Sequence, residues 1–90
     1  MDMTTAIGEL RQQINELDAQ LVRILEQRDV ESREIGGFKK ENGLPVYDPA
    51  REEEIIKTLC AKTTLPEKYI RALYKVIFEH SRELQNNESL

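Results

Sequence analysis

An apolar residue recurs every three or four positions along the first part of the chain, and this spacing constrains the fold more than any other feature. The positions are 7, 10, 14, 17, 21 and 24, and then 35 and 38. Steps of three and four place these side chains on one stripe of a single α-helix. Asn42-Gly43 is expected to end the helix, because glycine adopts the left-handed closing conformation without strain. The spacing therefore predicts one helix over about 5–41.

A helix of this length overhangs any domain that a chain of 90 residues can form. At ~1.5 Å per residue it is roughly 55 Å long, whereas a compact chain of this size has a diameter of about 30 Å. The apolar stripe on the overhanging part needs a cover, and a second copy of the chain is the simplest one. We therefore expect an obligate homodimer.

Gly36-Gly37 lies inside this predicted helix. The two glycines make the helix less stable by about 2 kcal/mol than two alanines would. Two alternatives follow: the glycines kink the helix, or they allow a ligand or a neighbouring helix to approach closely.

Two shorter helices are predicted after the long one. Asp48-Pro49 is a good helix start, because aspartate caps the free amides and proline suits the first turn. Thr64-Leu65-Pro66-Glu67 has the form of a capping box before a further apolar periodicity. The predicted helices span about 5–41, 49–62 and 66–86 in a single domain over 1–90. The predicted fold class is all-α, with one long and two shorter helices per chain.

Composition excludes several classes of protein. Charged residues make up 33% of the chain and aromatic residues 6%, which suits amphipathic helices. A formal net charge of −4 without a basic run argues against a nucleic-acid partner. The single cysteine, Cys60, excludes an internal disulfide and fits a reducing compartment. No apolar run approaches the ~18 residues of a membrane span, and no His, Cys and carboxylate cluster indicates a metal site. We expect a soluble, cytoplasmic protein.

Polar residues interrupt the apolar faces of all three predicted helices. The interrupting residues are Arg28 and Glu31 in the first helix, Glu52 in the second, and Ser81 and Gln85 in the third. Lys39 shares a face with Arg28, since eleven residues nearly complete three turns. Arg51 is next to Glu52.

A buried cation is costly without a partner. One explanation for a single such residue is an ion pair that sets helix register, for example Arg28 with Glu31 or Glu52. Taken together, however, the cations exceed what the nearby carboxylates need. An anionic ligand is the natural missing partner.

Arg11 stands just off the apolar stripe, and periodicity alone makes it a surface residue. It lies about 25 Å from Arg28 along the same helix, so it cannot reach the Arg28 pocket of its own chain. In an antiparallel dimer, the Arg11 end of one long helix lies beside the Arg28 to Lys39 end of the other. Arg11 would then complete its neighbour's pocket.

These residues also occur in an order that resembles a known family. The segments are ELRQQINELDAQLVRILEQR, IGGFKKENGLPVYDPAREEEI and IFEHSRELQ, which together cover most of the chain. They resemble the all-helical class of chorismate mutase. Ordinary coiled coils do not reproduce its pattern of R-x2-I-x2-L-D-x2-L followed by R, K and D-x2-R-E. The resemblance implies an intertwined six-helix homodimer that converts chorismate to prephenate in aromatic amino acid biosynthesis, with neither cofactor nor metal.

The resemblance also implies a role for each candidate residue. Arg28 and the partner's Arg11 would bind the two carboxylates of the substrate. Lys39 and Gln85 would donate to the ether oxygen, and Lys39 would also lie near a carboxylate. Glu52 and the backbone of Asp48 would bind the ring hydroxyl. Ser81 and Arg51 would support carboxylate binding.

Three alternatives remain open from the sequence. One is an isochorismate pyruvate lyase of the same fold, with a similar cation-lined pocket. Another is a non-catalytic helical module whose dimerisation or regulatory role is its whole function. The third concerns organisation: a domain like this also occurs fused to a neighbouring shikimate-pathway enzyme.

Overall fold

The structure, a computed structural model, describes residues 2–88 and contains three α-helices within that range. They are α1 (Met3–Glu41), α2 (Pro49–Cys60) and α3 (Glu67–Glu88). No strand occurs in the described part of the chain. The predicted all-α class, with one long helix followed by two shorter ones, is confirmed. None of these helices is both long enough and apolar enough to cross a membrane.

The chain divides into two compact units, residues 1–30 and residues 31–90, and the boundary falls within α1. In the first unit, the described residues form the N-terminal part of α1. The carboxylate of Asp2 accepts a hydrogen bond of 2.8 Å from the amide of Thr5, and this contact caps the helix. The backbone hydrogen bond from Thr5 is also the main reason that the pKa of Asp2 lies below its usual value.

The apolar stripe of the first unit is exposed in the single chain. Its six residues, at positions 7, 10, 14, 17, 21 and 24, each expose between 40% and 60% of their surface. In a soluble helix an apolar stripe of this kind normally faces other apolar groups. The first unit therefore presents a continuous apolar surface.

The second unit holds the end of α1 together with α2 and α3. Its buried apolar residues are Ile56 in α2 and Ile70, Phe78 and Leu84 in α3, each 5–8% exposed. The rings of Tyr74 and Phe78 meet edge to face, with centroids 5.5 Å apart. The core of this unit therefore lies between α2 and α3.

In the second unit, the residues predicted to end α1 and to begin α2 have the expected conformations and contacts. Gly43 has a φ of 65°, the left-handed conformation that closes α1. Asp48 caps α2, and its carboxylate accepts a hydrogen bond of 3.1 Å from the amide of Arg51. Pro49 occupies the first turn of α2.

Gly36 lies where α3 packs closely against α1. A Cβ atom built on Gly36 would lie 2.8 Å from Cα of Gln85, whereas one built on Gly37 has no neighbour within 4 Å. α1 continues as an α-helix through both glycines. Of the uses considered for this pair, close approach of a neighbouring helix is the one that Gly36 serves.

Candidate active site

Polar side chains replace apolar ones where α1 meets α3. Ser32 and Ser81, which are 5% and 6% exposed, are the buried polar residues within the described part of the second unit. Nε2 of Gln85 donates to Oγ of Ser32 at 3.2 Å, and Oγ of Ser32 donates to the backbone oxygen of Ser81 at 3.4 Å. Buried polar groups of this kind are normally hydrogen-bonded. The contacts hold the amide of Gln85 in one orientation beside the end of α1.

Lys39 lies in the last turn of α1, seven residues after Ser32 and therefore on nearly the same face. It is half-buried. Its Nζ donates a hydrogen bond of 2.9 Å to the backbone oxygen of Val46. The ammonium group is thus held between the end of α1 and the connector that leads to α2.

Arg51 and Glu52 are adjacent in α2 but point in different directions. The side chain of Glu52 is 22% exposed and forms an ion pair with Arg82 of α3. The side chain of Arg51 is 60% exposed and forms an ion pair of 2.8 Å with Glu54 on its own helix. Neighbouring residues on a helix differ by about 100° in direction. The structure therefore brings Glu52 to α3 and leaves Arg51 on the solvent side.

Arg82 is a residue that the sequence did not single out. Its guanidinium donates to Oε2 of Glu52 and lies 4.9 Å from the centre of the Tyr47 ring. The hydrogen bond from Arg82 to Glu52 is the main reason that the pKa of Arg82 is raised. The sequence did contain an indication that Arg82 lies near the candidate site, because position 82 lies directly after Ser81 and three residues before Gln85. A cation there can meet a carboxylate on the facing helix.

A second ion pair between α2 and α3 lies nearer the surface. Arg71 donates two hydrogen bonds to the carboxylate of Glu53, at 3.0 and 2.8 Å, and a third to Glu67 at 3.3 Å. The side chains of Arg71 and Glu53 are 40% and 43% exposed. These hydrogen bonds hold the pKa of Glu53 below its usual value and raise that of Arg71. The pair involves none of the candidate residues.

Two candidate residues, Arg11 and Arg28, belong to the first unit. Arg11 is exposed and Arg28 is half-buried. The exposure of Arg11 agrees with its position off the apolar stripe.

No group of three or more His, Cys, Asp and Glu residues in the described range is arranged to hold a metal ion. His80 is exposed, and Cys60 is a half-buried free thiol.

Comparison with known proteins identifies the family. Residues 10–86 match the family described as chorismate mutase type II. This chain belongs to the type II chorismate mutase family. The resemblance seen in the sequence is therefore confirmed.

This chorismate mutase family member is similar to other proteins named as chorismate mutases. A chorismate mutase of Methanocaldococcus jannaschii is 27% identical over 86 residues, which cover 92% of this chain and 87% of the relative. A bifunctional chorismate mutase/prephenate dehydratase of Buchnera aphidicola is 36% identical over 84 residues, or 90% of this chain. This match spans only 23% of the bifunctional relative.

Solved structures of chorismate mutase from Thermus thermophilus share the fold. Form II superimposes with a TM-score of 0.86 at 37% identity, covering 90% of this chain and 94% of the other. Form I gives a TM-score of 0.80 at 38% identity, with 84% and 98% covered.

Proposed function

We propose that this chain rearranges chorismate to prephenate and so acts in the biosynthesis of aromatic amino acids. The observation that carries the proposal is the family match over residues 10–86, which spans every candidate residue from Arg11 to Gln85. The contacts among Ser32, Ser81 and Gln85 support it, because they place hydrogen-bonding groups at the buried junction of α1 and α3.

The reaction is an internal rearrangement in which a C–O bond of the substrate breaks as a C–C bond forms. No proton has to move and no nucleophile is required, so the proposed reaction uses neither a cofactor nor a metal. The protein has two tasks. It must hold the substrate in a folded, reactive shape, and it must stabilise the negative charge that grows on the ether oxygen.

Lys39 and Gln85 are the proposed donors to the ether oxygen. Both are restrained before substrate arrives, Lys39 by the carbonyl of Val46 and Gln85 by the hydroxyl of Ser32. Donors that are already oriented need little reorganisation during the reaction. Removing either donor is expected to cost roughly 3 kcal/mol, or about a hundredfold in kcat.

Arg28 and the partner's Arg11 are the proposed clamps for the two carboxylates, because a guanidinium matches a carboxylate with two parallel hydrogen bonds. Ser81 and Arg51 would support carboxylate binding, and Arg51 would have to turn away from Glu54 to do so. Glu52 and the backbone of Asp48 would bind the ring hydroxyl.

The proposal includes an intertwined homodimer. It is supported by the stripe of six apolar residues in α1, which remains 40–60% exposed in a single chain. A second long helix packed along this stripe would cover it. An antiparallel arrangement would also bring the partner's Arg11 to the carboxylate site. We further propose a cytoplasmic location, in keeping with the single free thiol of Cys60.

The test is the loss of chorismate absorbance after addition of purified protein. The wild type and Arg33→Ala are expected to consume chorismate, whereas Arg28→Ala is expected to be strongly impaired. Arg33 is a matched control because it is an exposed arginine of α1 outside the candidate set. Isochorismate should be assayed in parallel. Preferential release of pyruvate from it, or equal rates for the wild type and Arg28→Ala, would contradict the proposal.

A further inference from the structure

Arg82 joins three elements of the second unit, namely α3, α2 and the connector that leads to α2. It lies on α3 between Ser81 and Gln85 in sequence. Its guanidinium forms an ion pair with Glu52 on α2 and lies over the ring of Tyr47 in the connector. Tyr47 directly precedes Asp48, whose backbone is a proposed contact for the ring hydroxyl. Arg82 is thus in contact with one proposed hydroxyl-binding group, Glu52, and with the residue that precedes the other, Asp48.

The contacts leave Glu52 with capacity for a ligand. A carboxylate has two oxygens and about four acceptor sites. Nη1 of Arg82 donates to Oε2 of Glu52. A carboxylate held at one oxygen by a charged donor has a defined direction for its other oxygen. Oε1 of Glu52 is therefore the oxygen that would meet a hydroxyl.

The guanidinium is itself restrained. A cation within about 6 Å of an aromatic ring centre is attracted to the ring face, and Arg82 lies 4.9 Å from that of Tyr47. The side chains of Arg82 and Glu52 are 29% and 22% exposed, so solvent screens this pair less than the pair of Arg71 and Glu53, at 40% and 43%. The two pairs join the same helices but differ in burial, and the pair of Arg82 includes the candidate residue Glu52, whereas the pair of Arg71 includes no candidate residue.

We propose that Arg82 is a positioning residue for the reaction, which orients the carboxylate of Glu52 toward the ring hydroxyl of the substrate. The inference rests on the proposed function. It adds a residue that acts through Glu52 and does not touch the reacting atoms.

The kinetic consequence follows from the chemistry of the hydroxyl, which is not changed in the rearrangement. A contact to it binds substrate and transition state alike, and its loss raises KM with little change in kcat. Arg82→Ala is therefore expected to raise KM by about tenfold, since a hydrogen bond to a charged group is weakened. The expected change in kcat is within about threefold. Arg82→Lys keeps the charge and should recover part of the loss.

The experiment measures kcat, KM and the thermal midpoint for wild type, Arg82→Ala, Arg82→Lys, Arg71→Ala and Glu52→Ala, together with the double variant of Glu52 and Arg82. Arg71→Ala is the matched control, because it also removes an arginine of α3 that pairs with α2. It is expected to lower the thermal midpoint without changing KM. The double variant is expected to have the KM of Glu52→Ala alone, because Arg82 acts through Glu52.

The outcomes separate the two hypotheses. If the wild type does not consume chorismate, the proposed function is wrong and the role of Arg82 falls with it. If Glu52→Ala raises KM but Arg82→Ala behaves like Arg71→Ala, the reaction stands and the positioning role is overturned. Additive effects of the two substitutions in the double variant would also overturn it.

Discussion

Replacing Gly36 by alanine would add a methyl group at the contact between α1 and α3. The new Cβ would lie 2.8 Å from Cα, 3.1 Å from the backbone oxygen and 3.2 Å from Cβ of Gln85. Carbon atoms in favourable contact are about 3.5–4.0 Å apart. The atoms that would be too close belong mainly to the backbone of α3, so the clash cannot be relieved by turning a flexible side chain. The helices would have to separate locally by about 0.7 Å or more.

The net effect is the difference between two opposing contributions. Alanine is more favourable than glycine inside a helix by about 1 kcal/mol. Overpacking of a close contact costs about 1–3 kcal/mol. Gly36→Ala is therefore expected to lower the free energy of unfolding by about 1 kcal/mol. It should also lower kcat, because Gln85 moves away from its proposed position at the ether oxygen.

Gly37→Ala is the matched control for this prediction. A Cβ at Gly37 has no neighbour within 4 Å in the chain, so the helix-propensity gain of about 1 kcal/mol is unopposed. Urea unfolding of both variants at one protein concentration gives the free energies, and chorismate consumption gives kcat. If Gly36→Ala is as stable and as active as Gly37→Ala, the close contact between α1 and Gln85 is wrong.

Further predictions concern the mechanism, the pH dependence of stability and the assembly. Gln85→Glu is expected to be active only at acidic pH, because a carboxyl group must be protonated to donate a hydrogen bond; an unchanged pH–rate profile would remove Gln85 from the mechanism. Arg71 holds the pKa of Glu53 below its ordinary value of 4.5. The ion pair therefore stabilises the fold fully at pH values above 4.5, and this contribution is lost as the pH falls through the lower pKa that Glu53 has in the folded protein. Arg71→Ala should accordingly lower the thermal midpoint at pH 7 but not at about pH 2; an equal difference at both values would refute this. Leu17 lies on the apolar stripe and is 60% exposed. Leu17→Glu is expected to abolish the dimer, whereas Gln12→Glu, on the opposite side of the helix, should leave it intact. Sedimentation would decide, and a Leu17→Glu protein that remains dimeric would argue against the stripe as the interface.

The three helices could be predicted from the sequence because the signals that start and end them depend on nearby residues. Asp48 caps an amide three residues away, and Gly43 closes α1 within the next turn. The start of α1 was predicted two residues late, because the cap by Asp2 was not recognised. Such signals act within one helical turn, where the chain itself holds the partners together.

Apolar spacing alone does not decide which residues of α3 are buried. Leu73 is 41% exposed, whereas Phe78 is 5% exposed. Periodicity gives the width of an apolar stripe, but a helix can rotate within that width until its largest side chains pack. The rotation is set by the facing helix, here α2.

In the candidate site, too, some features follow from the sequence alone and others from the packing of the helices. The sequence alone determined the three helices, the long apolar stripe and the polar residues that interrupt the helix faces, because each is a local pattern. Only the tertiary structure decided which of these residues meet: Gln85 with Ser32, 53 positions apart, and Arg82 with Glu52, 30 positions apart. It also placed Gly36 against Gln85. Contacts of this kind depend on the rotation and spacing of packed helices, which no short stretch of sequence specifies.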